Sequence, residues 1–397
     1  MRSYRKLSLT NVALLLSLLV MVSIFLRLRT ESNQGTGSPL KVEEMYKRTE
    51  HMRETCSHMP PGRHLRAKVS AKRLYYLAEK YALSYCKVQE SGSTFWTQAF
   101  LTLAGVNPQW HDYGNVQTMF EVSKAEAANA MKRRASLTMS HDDERVYKTM
   151  SFVFARNPYS RLFAAYIHSI YLPHRWYAAS KMVTEGPRRE CGIDISFNEF
   201  LTHVSNNLLK RRFSDSNWAP IFTLCSPCES NIDIIAKVES FSEDTDFILG
   251  YANVEDSIRE MITDASLRKH SKDDVVAEIH DNVAKGHSVN RGCISEENLA
   301  ERIWTAFQIK GYIHNDLKFP KATFKSVFRD ELRDVLTDAV VTAMDDKPLT
   351  DEERIKQMHD WKISFWKSVM EETIHNVQAA YYEDFVLFGY DIDPNSM

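Results

Sequence analysis

The chain has 397 residues, of which 44% are hydrophobic and 26% charged, a composition typical of globular proteins with one large core or two modest ones. A formal net charge of -2 excludes a nucleic-acid-binding protein that relies on bulk positive charge. The 6 cysteines make disulfides plausible in an oxidising compartment, but their pairing is not readable from the sequence.

The first informative segment is the uncharged stretch at residues 12–26, VALLLSLLVMVSIFL, which residues 7–11 extend to about twenty residues. More basic groups precede it than follow it, so the positive-inside rule predicts a cytoplasmic N-terminus. A cleaved signal peptide and a buried core helix are the alternatives, but the RLRTESN that follows lacks a small-x-small cleavage pattern. We predict a cytoplasmic tail at residues 1–8 and a transmembrane signal anchor at 9–28, with everything after it luminal.

The next segment, residues 29–69, is polar and rich in Gly and Pro near its ends, which predicts a luminal stem. Residues 70–397 are predicted to form one domain. Two stretches in it have the form strand, tight loop, helix, namely SYCKV-QESGST-FWTQAFLTLAG and TMSFVFA-RNP-YSRLFAAYIHSIY. Two such units predict a parallel sheet and therefore an α/β fold.

The first loop, QESGST, is suited to bind an anion, because the first N–H groups of a helix converge beyond the end of a parallel strand. Gly92 would allow close approach of the backbone, and the hydroxyls of Ser93 and Thr94 would donate hydrogen bonds. Alternatively, these hydroxyls only cap the helix. The GxxxxGK[ST] pattern of nucleotide kinases is absent, so we do not expect ordinary ATP chemistry.

The second loop, RNP, has Pro158 in the first helical turn and Arg156 at the strand end, where a guanidinium can grip a phosphate bidentately. Alternatively, Asn157 caps the helix while Arg156 and Arg161 are solvated or paired with carboxylates. Two anion-suited loops in one sheet favour a substrate with phosphates at both ends.

Residues 255–360 are charged and helical in pattern, with Leu299, Ile303, Trp304 and Phe307 in one apolar stripe. This pattern predicts a solvated helical layer packed on the core. The final aromatic run EDFVLFGY predicts a terminal strand or hook that docks into the core.

Cys225 and Cys228 form a lone CxxC pair without two further zinc ligands at suitable spacing, so we expect disulfides and no metal. Basic clusters at 132–134, 188–189 and 210–212 either bind an anionic glycan or form a solvated face.

Four motifs resemble the Golgi carbohydrate sulfotransferases of the HNK-1 and chondroitin/dermatan 4-O-sulfotransferase type. YCKVQESGSTFW at 85–96 is similar to the family's YCxVPKxGCTNW loop, and RNPYSRLFAAY at 156–166 to its RxPxxRLxSAY loop. DSNWAPIFTLCSPCESNIDIIAKVES at 215–240 resembles HWxPxxxLCxPCxxxYDxIGKxET, and YYEDFVLFGY at 381–390 resembles YxxDFxLFGY. All four occur in the family's order.

The resemblance implies a P-loop-like α/β sulfotransferase fold, with a central parallel sheet flanked by helices and 255–360 as a charged helical insertion. It implies transfer of a sulfuryl group from the co-substrate PAPS to a glycan hydroxyl in the Golgi lumen, without a metal or a nucleic-acid partner. Carried over to this sequence, the loops bind PAPS as follows: Gly92, Ser93 and Thr94 contact the phosphosulfate, and Arg156, Ser160 and Arg161 contact the 3′-phosphate. Trp96 packs the loop.

One departure from the family pattern lies in the first loop. The family's lysine, which stabilises the bridging oxygen as sulfate departs, is Glu90 here. At close range a carboxylate would repel the donor by a few kcal/mol unless it turned away or were neutralised. Lys87 is the candidate catalytic replacement.

Two further departures concern the 3′-phosphate and the base. The family's serine in the second loop is Ala164, for which Ser160 or Arg161 would substitute. The histidine before the tryptophan is Asn217, which leaves Asp215 as the nearest candidate base, or as the cap of a turn. Together the departures leave a second function open, a luminal glycan-binding or scaffolding module that has lost transfer.

Overall fold

The computed structural model describes residues 39–59, 68–69, 74–105, 138–140, 144–182, 191–230, 232–267, 271–289 and 292–394. The predicted tail and membrane anchor at residues 1–28 lie outside these ranges, as does part of the predicted stem. Within the described ranges, no helix has the length and apolar character needed to cross a bilayer.

The strands and helices below are those of the described residues. The strands are β1 Lys68–Val69, β2 Leu74–Ala78, β3 Leu83–Cys86, β4 Thr138–Ser140, β5 Met150–Ala155, β6 Phe213–Ser214 and β7 Ile234–Lys237. The α-helices are α1 Pro39–His58, α2 Ser93–Leu103, α3 Glu144–Tyr147, α4 Pro158–Tyr166, α5 Trp176–Ala179, α6 Phe197–Leu209, α7 Ile221–Cys225, α8 Phe241–Tyr251, α9 Asp256–Leu267, α10 Lys272–Val289, α11 Glu296–Ile309, α12 Lys321–Phe324, α13 Leu332–Asp346, α14 Asp351–Lys367, α15 Glu371–Ala380 and α16 Tyr382–Leu387. A π-helical turn, Ile167–Tyr171, continues α4, and 3₁₀ turns occupy Glu79–Tyr81 and Val238–Ser240.

The central sheet has the strand order β4-β2-β3-β5-β7. The strands β3, β5 and β7 are parallel, as the two strand-loop-helix units predict. The sheet as a whole is mixed, because β2 runs antiparallel to β3 and to β4. The cause is local: only the 3₁₀ turn Glu79–Tyr81 and Ala82 join β2 to β3, and so short a connection cannot cross over to a parallel strand.

The side chains of β3 are all buried, as expected of a strand covered on both faces. On one face an aromatic cluster surrounds Trp96, whose ring centroid lies 4.5 Å from that of Phe152 and 5.8 Å from that of Tyr85. Trp96 has 0% of its surface exposed, which confirms that it packs the loop into the core.

Helix α1 differs from the spacer that the sequence predicts for residues 29–69, because it packs on the domain. Its Met45 and Met52 are buried, and Arg48 forms a 2.6 Å ion pair with the buried Asp244 at the start of α8. Glycine and proline near the ends of this segment obscure its helical middle.

The predicted insertion at 255–360 is helical, and its apolar stripe is buried. Leu299, Ile303, Trp304 and Phe307 on α11 all have at most 3% of their surface exposed. They pack with residues of α10 and α13 and with Leu172, Trp176 and Ile193 outside the insertion, so the helical layer packs on the rest of the domain as predicted.

The C-terminal run docks into the core as predicted, but as helix α16 and a following turn rather than as a strand. The Asp384 carboxylate accepts hydrogen bonds from the backbone N–H groups of Ile221 and Phe222, at 2.7 and 2.8 Å, and so caps α7. Tyr381 donates a hydrogen bond to the carbonyl of Trp218. The last motif therefore fixes the segment that contains Asp215.

Candidate functional site

The loop after β3 forms a tight turn at the start of α2. Gly92 has a φ of +81°, in the left-handed region that glycine tolerates best, and an added Cβ would lie 2.4 Å from the ring of Phe241. The N–H of Trp96 donates to the Gly92 carbonyl at 3.0 Å and closes the first turn. Gly92 supplies no side-chain cap, so the first N–H groups of α2 are left for another acceptor, the geometry that suits phosphate or sulfate.

The hydroxyls of this loop do not cap α2, since the helix begins at Ser93 itself. The Ser93 hydroxyl donates to Oε1 of Gln89 at 2.7 Å and ties the two ends of the turn together. Thr94 is exposed at the mouth of the loop.

The loop after β5 begins α4 as the sequence predicts. Oδ1 of Asn157 accepts hydrogen bonds from the N–H groups of Tyr159 and Ser160, at 3.0 and 3.3 Å, and Pro158 is the first helical residue. Capping by Asn157 leaves Arg156 just before the helix, beside its positive end.

The two loops are in direct contact. Nη1 of Arg156 donates to the carbonyl oxygen of Glu90 at 2.8 Å. Their residues therefore meet at one end of the neighbouring parallel strands β3 and β5. Burial lowers the pKa of the Arg156 guanidinium below its ordinary value, and nearby Glu90 and Glu239 partly oppose this.

The buried side chain of Arg161 lies beneath the loops and bonds to their backbone. It has 2% of its surface exposed, and it donates to the carbonyl oxygens of Gln89 at 2.9 Å and Ala219 at 2.7 Å. Its Nη2 is buried without a hydrogen-bond partner. The guanidinium thus bonds to backbone carbonyls beneath the loops, and the 3′-phosphate contact of Arg161 stays a prediction.

Ser160 and Arg156 have a cationic neighbour that lies outside the four motifs. Nζ of Lys362, on α14, donates to the Ser160 hydroxyl at 3.2 Å. Burial lowers the pKa of the Lys362 ammonium, and the positive charge of Arg156 lowers it further, while Glu239 opposes the shift. Two cations and a hydroxyl thus share one partly buried corner.

Glu239 links this corner to the C-terminal motif. Oε1 of Glu239 accepts a hydrogen bond from the N–H of Asn157 at 3.2 Å, and its Oε2 accepts one from the hydroxyl of Tyr390 at 2.9 Å. Nζ of Lys237 lies 4.4 Å from the centre of the Tyr390 ring. The third and fourth motifs therefore support the second loop.

Glu90, which replaces the family's lysine, has a compensated charge. Its Oε1 lies 3.2 Å from Nδ1 of His168, on the π-helical turn. Burial by itself raises the pKa of the Glu90 carboxyl, but the interaction with His168 and the charges of Arg156 and Lys310 outweigh it and lower the pKa below its ordinary value. The repulsion expected from the sequence is thus reduced by a partner that the sequence analysis does not identify.

The two predicted catalytic residues are both engaged elsewhere. Nζ of Lys87 donates to the hydroxyl of Tyr76 on β2 at 3.1 Å. Oδ1 of Asp215 accepts from the N–H and side-chain amide of Asn217, at 2.9 and 2.7 Å, and Oδ2 lies 3.1 Å from Nη1 of Arg175. Asp215 thus caps a turn, the alternative given above, and catalytic roles for Lys87 and Asp215 remain predictions.

Disulfides hold the surrounding segments together. Cys86, the last residue of β3, is bonded to Cys225 at the end of α7, and Cys228 is bonded to Cys56 on α1. The two cysteines of the CxxC pair are therefore oxidised, but each to a distant partner. The first of these bonds anchors the strand from which the Gly92 loop emerges.

Sequence reasoning missed two residues of this site, Lys362 and His168. Lys362 comes from α14, far along the chain from both loops, and a lysine on an amphipathic helix has no distinguishing signal. His168 lies two residues beyond the second motif, in a turn whose π-helical geometry changes the direction of its side chain.

Comparison with known proteins gives a consistent result. The family model described as the sulfotransferase family matches residues 73–290. Carbohydrate sulfotransferase 11 of Rattus norvegicus is 24% identical over 223 residues, which cover 53% of this chain and 60% of that protein. Carbohydrate sulfotransferase 10 of Xenopus laevis is 24% identical over 271 residues, which cover 63% of this chain and 74% of that protein.

Carbohydrate sulfotransferase 8 of Mus musculus is 23% identical over 209 residues, which cover 50% of this chain and 48% of that protein. The chain therefore spans about half to three quarters of the length of these relatives. No solved structure matches the chain.

Proposed function

Because the chain belongs to the sulfotransferase family, whose model matches more than half of it over residues 73–290, we propose that it is an enzyme that moves a sulfuryl group from PAPS to a glycan hydroxyl. Relatives named as carbohydrate sulfotransferases support a sugar acceptor. The acceptor class is a glycosaminoglycan or a glycoprotein oligosaccharide. The proposal includes a Golgi membrane location as a single-pass type II protein, supported by the apolar stretch within residues 9–28.

One observation carries the proposal: Arg156, Ser160 and Lys362 form a cationic corner in contact with the loop that contains Gly92. Glu239 offsets the repulsion between Arg156 and Lys362 only in part, since the pKa of Lys362 stays below its ordinary value, and like charges in a partly buried site disfavour each other's charged form. A nucleotide with a 3′-phosphate relieves that repulsion.

In this proposal the cationic corner of Arg156, Ser160 and Lys362 binds the 3′-phosphate. The phosphosulfate lies at the start of α2, where the backbone N–H groups and the hydroxyl of Thr94 stabilise the charge that develops during an in-line displacement. Gly92 keeps the backbone accessible to it, and Ser93 holds the turn closed through Gln89.

The alternative of a module that has lost transfer rests on Glu90, Ala164 and Asn217. Pairing with His168 reduces the objection from Glu90, and Lys362 stands beside Ser160, one helical turn before Ala164. No observation favours the module, so it serves as an outcome of the test below.

The test uses the full chain. Calorimetry measures binding of PAP, the nucleotide that remains when PAPS has lost its sulfuryl group. Transfer is measured with ³⁵S-labelled PAPS on unsulfated chondroitin, dermatan and glucuronyl-terminated oligosaccharides. We expect Lys362→Ala to weaken PAP binding by about 10-fold to 100-fold, the loss typical of a charged hydrogen bond to phosphate.

The matched control is Lys356→Ala, which removes an exposed lysine of the same helix that pairs with Asp360 and should leave PAP affinity unchanged. Saturable PAP binding without label transfer would support the module instead. Absence of PAP binding by the wild type would refute the enzyme and would also remove Arg156 from the candidate site.

A further inference from the structure

A histidine and a carboxylate form a close pair beside the loop at the start of α2. Nδ1 of His168 lies 3.2 Å from Oε1 of Glu90. The carboxylate side chain is 14% exposed, whereas the imidazole is 47% exposed. Glu90, the more buried residue, can therefore orient the imidazole of His168, which solvent can reach.

Both residues occupy irregular backbone that brings them together. Glu90 has a φ of +61°, a left-handed conformation that is strained for a non-glycine residue and is concentrated at functional sites. His168 lies in the π-helical turn Ile167–Tyr171. Such turns are rare and occur frequently at functional sites.

We infer that His168 is the general base that accepts the proton of the acceptor hydroxyl, and that Glu90 is the residue that positions its imidazole. The inference rests on the proposed sulfotransferase function and names a group that its chemistry requires. Asp215, the base predicted from the sequence, is engaged by Asn217 and Arg175, whereas the His168 ring remains half exposed beside the loop.

The tautomer follows from the pairing. A carboxylate accepts a hydrogen bond from a nitrogen that bears hydrogen. Glu90 therefore selects the neutral imidazole with hydrogen on Nδ1, which leaves the lone pair on Nε2. In the reaction, the acceptor oxygen forms a bond to sulfur as the bond from sulfur to the bridging oxygen breaks. The electron pair of that bond goes to the 5′-phosphate of PAP, and the acceptor proton goes to Nε2 and then to solvent.

Charged and titratable groups face this pair from several elements. Arg156 and Lys310 act on Glu90 from the β5 loop and the end of α11. The ring of His174, from the turn after the π-helix, lies 4.3 Å from the ring of His168. Nζ of Lys285, on α10, lies 2.7 Å from Nδ1 of His174. Burial lowers the pKa of His174 well below its ordinary value, and the neighbouring His168, Lys285 and Lys310 lower it further, so His174 stays neutral.

The first test compares full-length wild type with His168→Gln. Removal of a general base costs about 10²-fold to 10⁴-fold in rate. We expect the transfer rate to fall by at least about 100-fold with PAP affinity unchanged. We also expect the wild-type rate to rise with pH through one ionisation, and this rise to disappear in the variant.

Glu90→Gln tests the positioning role, because glutamine still accepts the Nδ1 hydrogen but lacks the charge that stabilises the imidazolium. We expect an about tenfold slower rate and a pH profile whose rising limb moves to lower pH. The matched control is His287→Gln, which breaks another histidine–glutamate pair, to Glu296 at 2.7 Å in the helical insertion, and should change neither rate nor profile.

A second measurement does not need an acceptor. Long-range ¹H–¹⁵N correlation spectra of the full chain, with His168 assigned by its absence from the His168→Gln spectrum, should show hydrogen on Nδ1 and none on Nε2 above pH 7. The opposite tautomer would overturn the inference. The inference would also fail if His168→Gln transferred label within threefold of the wild-type rate. It would fail too if His168→Gln lost PAP binding, since His168 would then bind the donor nucleotide. In either case, transfer by the wild type would leave the proposed function standing.

Discussion

The sheet region, residues 74–251, and the helical region, residues 256–367, offer a comparison between two kinds of polar contact. In the sheet region the loops and α7 are held by buried side chains that bond to backbone: Arg161 donates to the carbonyls of Gln89 and Ala219, and Asp384 from the C-terminal motif caps α7. The helical region has ion pairs near its surface, such as Lys347–Asp316.

This difference shows where precision is needed. A buried side chain that bonds to backbone carbonyls fixes the path of a loop, and its removal leaves buried groups unpaired. A surface ion pair joins two solvent-exposed side chains and does not fix the path of the backbone. The loops after β3 and β5 have the first arrangement, through Arg161, and surface pairs such as Lys347–Asp316 have the second.

Removal of a disulfide should cause the largest loss of stability, and its effect on PAP binding should differ between the two regions. Cys86–Cys225 and Cys191–Cys293 close segments of 139 and 102 residues, so replacing either pair with alanines should cost a similar 2–5 kcal/mol, roughly, in unfolding free energy. Only the Cys86–Cys225 double variant should also weaken PAP binding, by about tenfold, because only that bond anchors the Gly92 loop.

Denaturant unfolding and PAP calorimetry on the two double variants measure these effects. Equal losses of PAP affinity would show that the loop depends on global stability alone.

The next effect concerns Arg161→Met. Because two backbone carbonyls lose their donor in a buried site, we expect a loss of about 2–4 kcal/mol of stability and weaker PAP binding. Arg333→Met, in the helical region, removes an arginine that is 53% exposed and paired with Asp334, and should cost less than about 0.5 kcal/mol. Urea unfolding of both variants gives the comparison, and similar losses would contradict it.

The smallest effect should follow Lys347→Ala, which breaks the exposed pair with Asp316. Salt screens such pairs, so we expect no measurable change in Tm at physiological ionic strength. A clear drop in Tm by differential scanning calorimetry would mean that surface pairs in the helical region contribute more than the comparison allows.

The sequence is a good guide where structure is local. The strand-loop-helix pattern identified both loops and their common edge, because the periodicity of each unit specifies its own elements. The same reasoning predicted the parallel centre of the sheet but not the antiparallel β2, since it did not weigh the short turn between β2 and β3. It also took α1 for a stem, because Gly and Pro at the segment's ends outweighed its helical middle.

Side chains that reach the site from other elements could not be predicted in the same way. The position of Lys362 beside Ser160 depends on how α14 packs against α4, and helical periodicity does not specify the partner of a helix. The direction of His168 depends on a π-helical turn without a clear sequence signal. Both are set by tertiary packing.

The contacts of the C-terminal motif carry a consequence for biosynthesis. Tyr390 and Asp384 bond to Glu239 and to the start of α7, at least 151 residues earlier in the chain. A nascent chain that has not yet been translated through residues 381–390 therefore lacks the groups that cap α7 and hold Glu239.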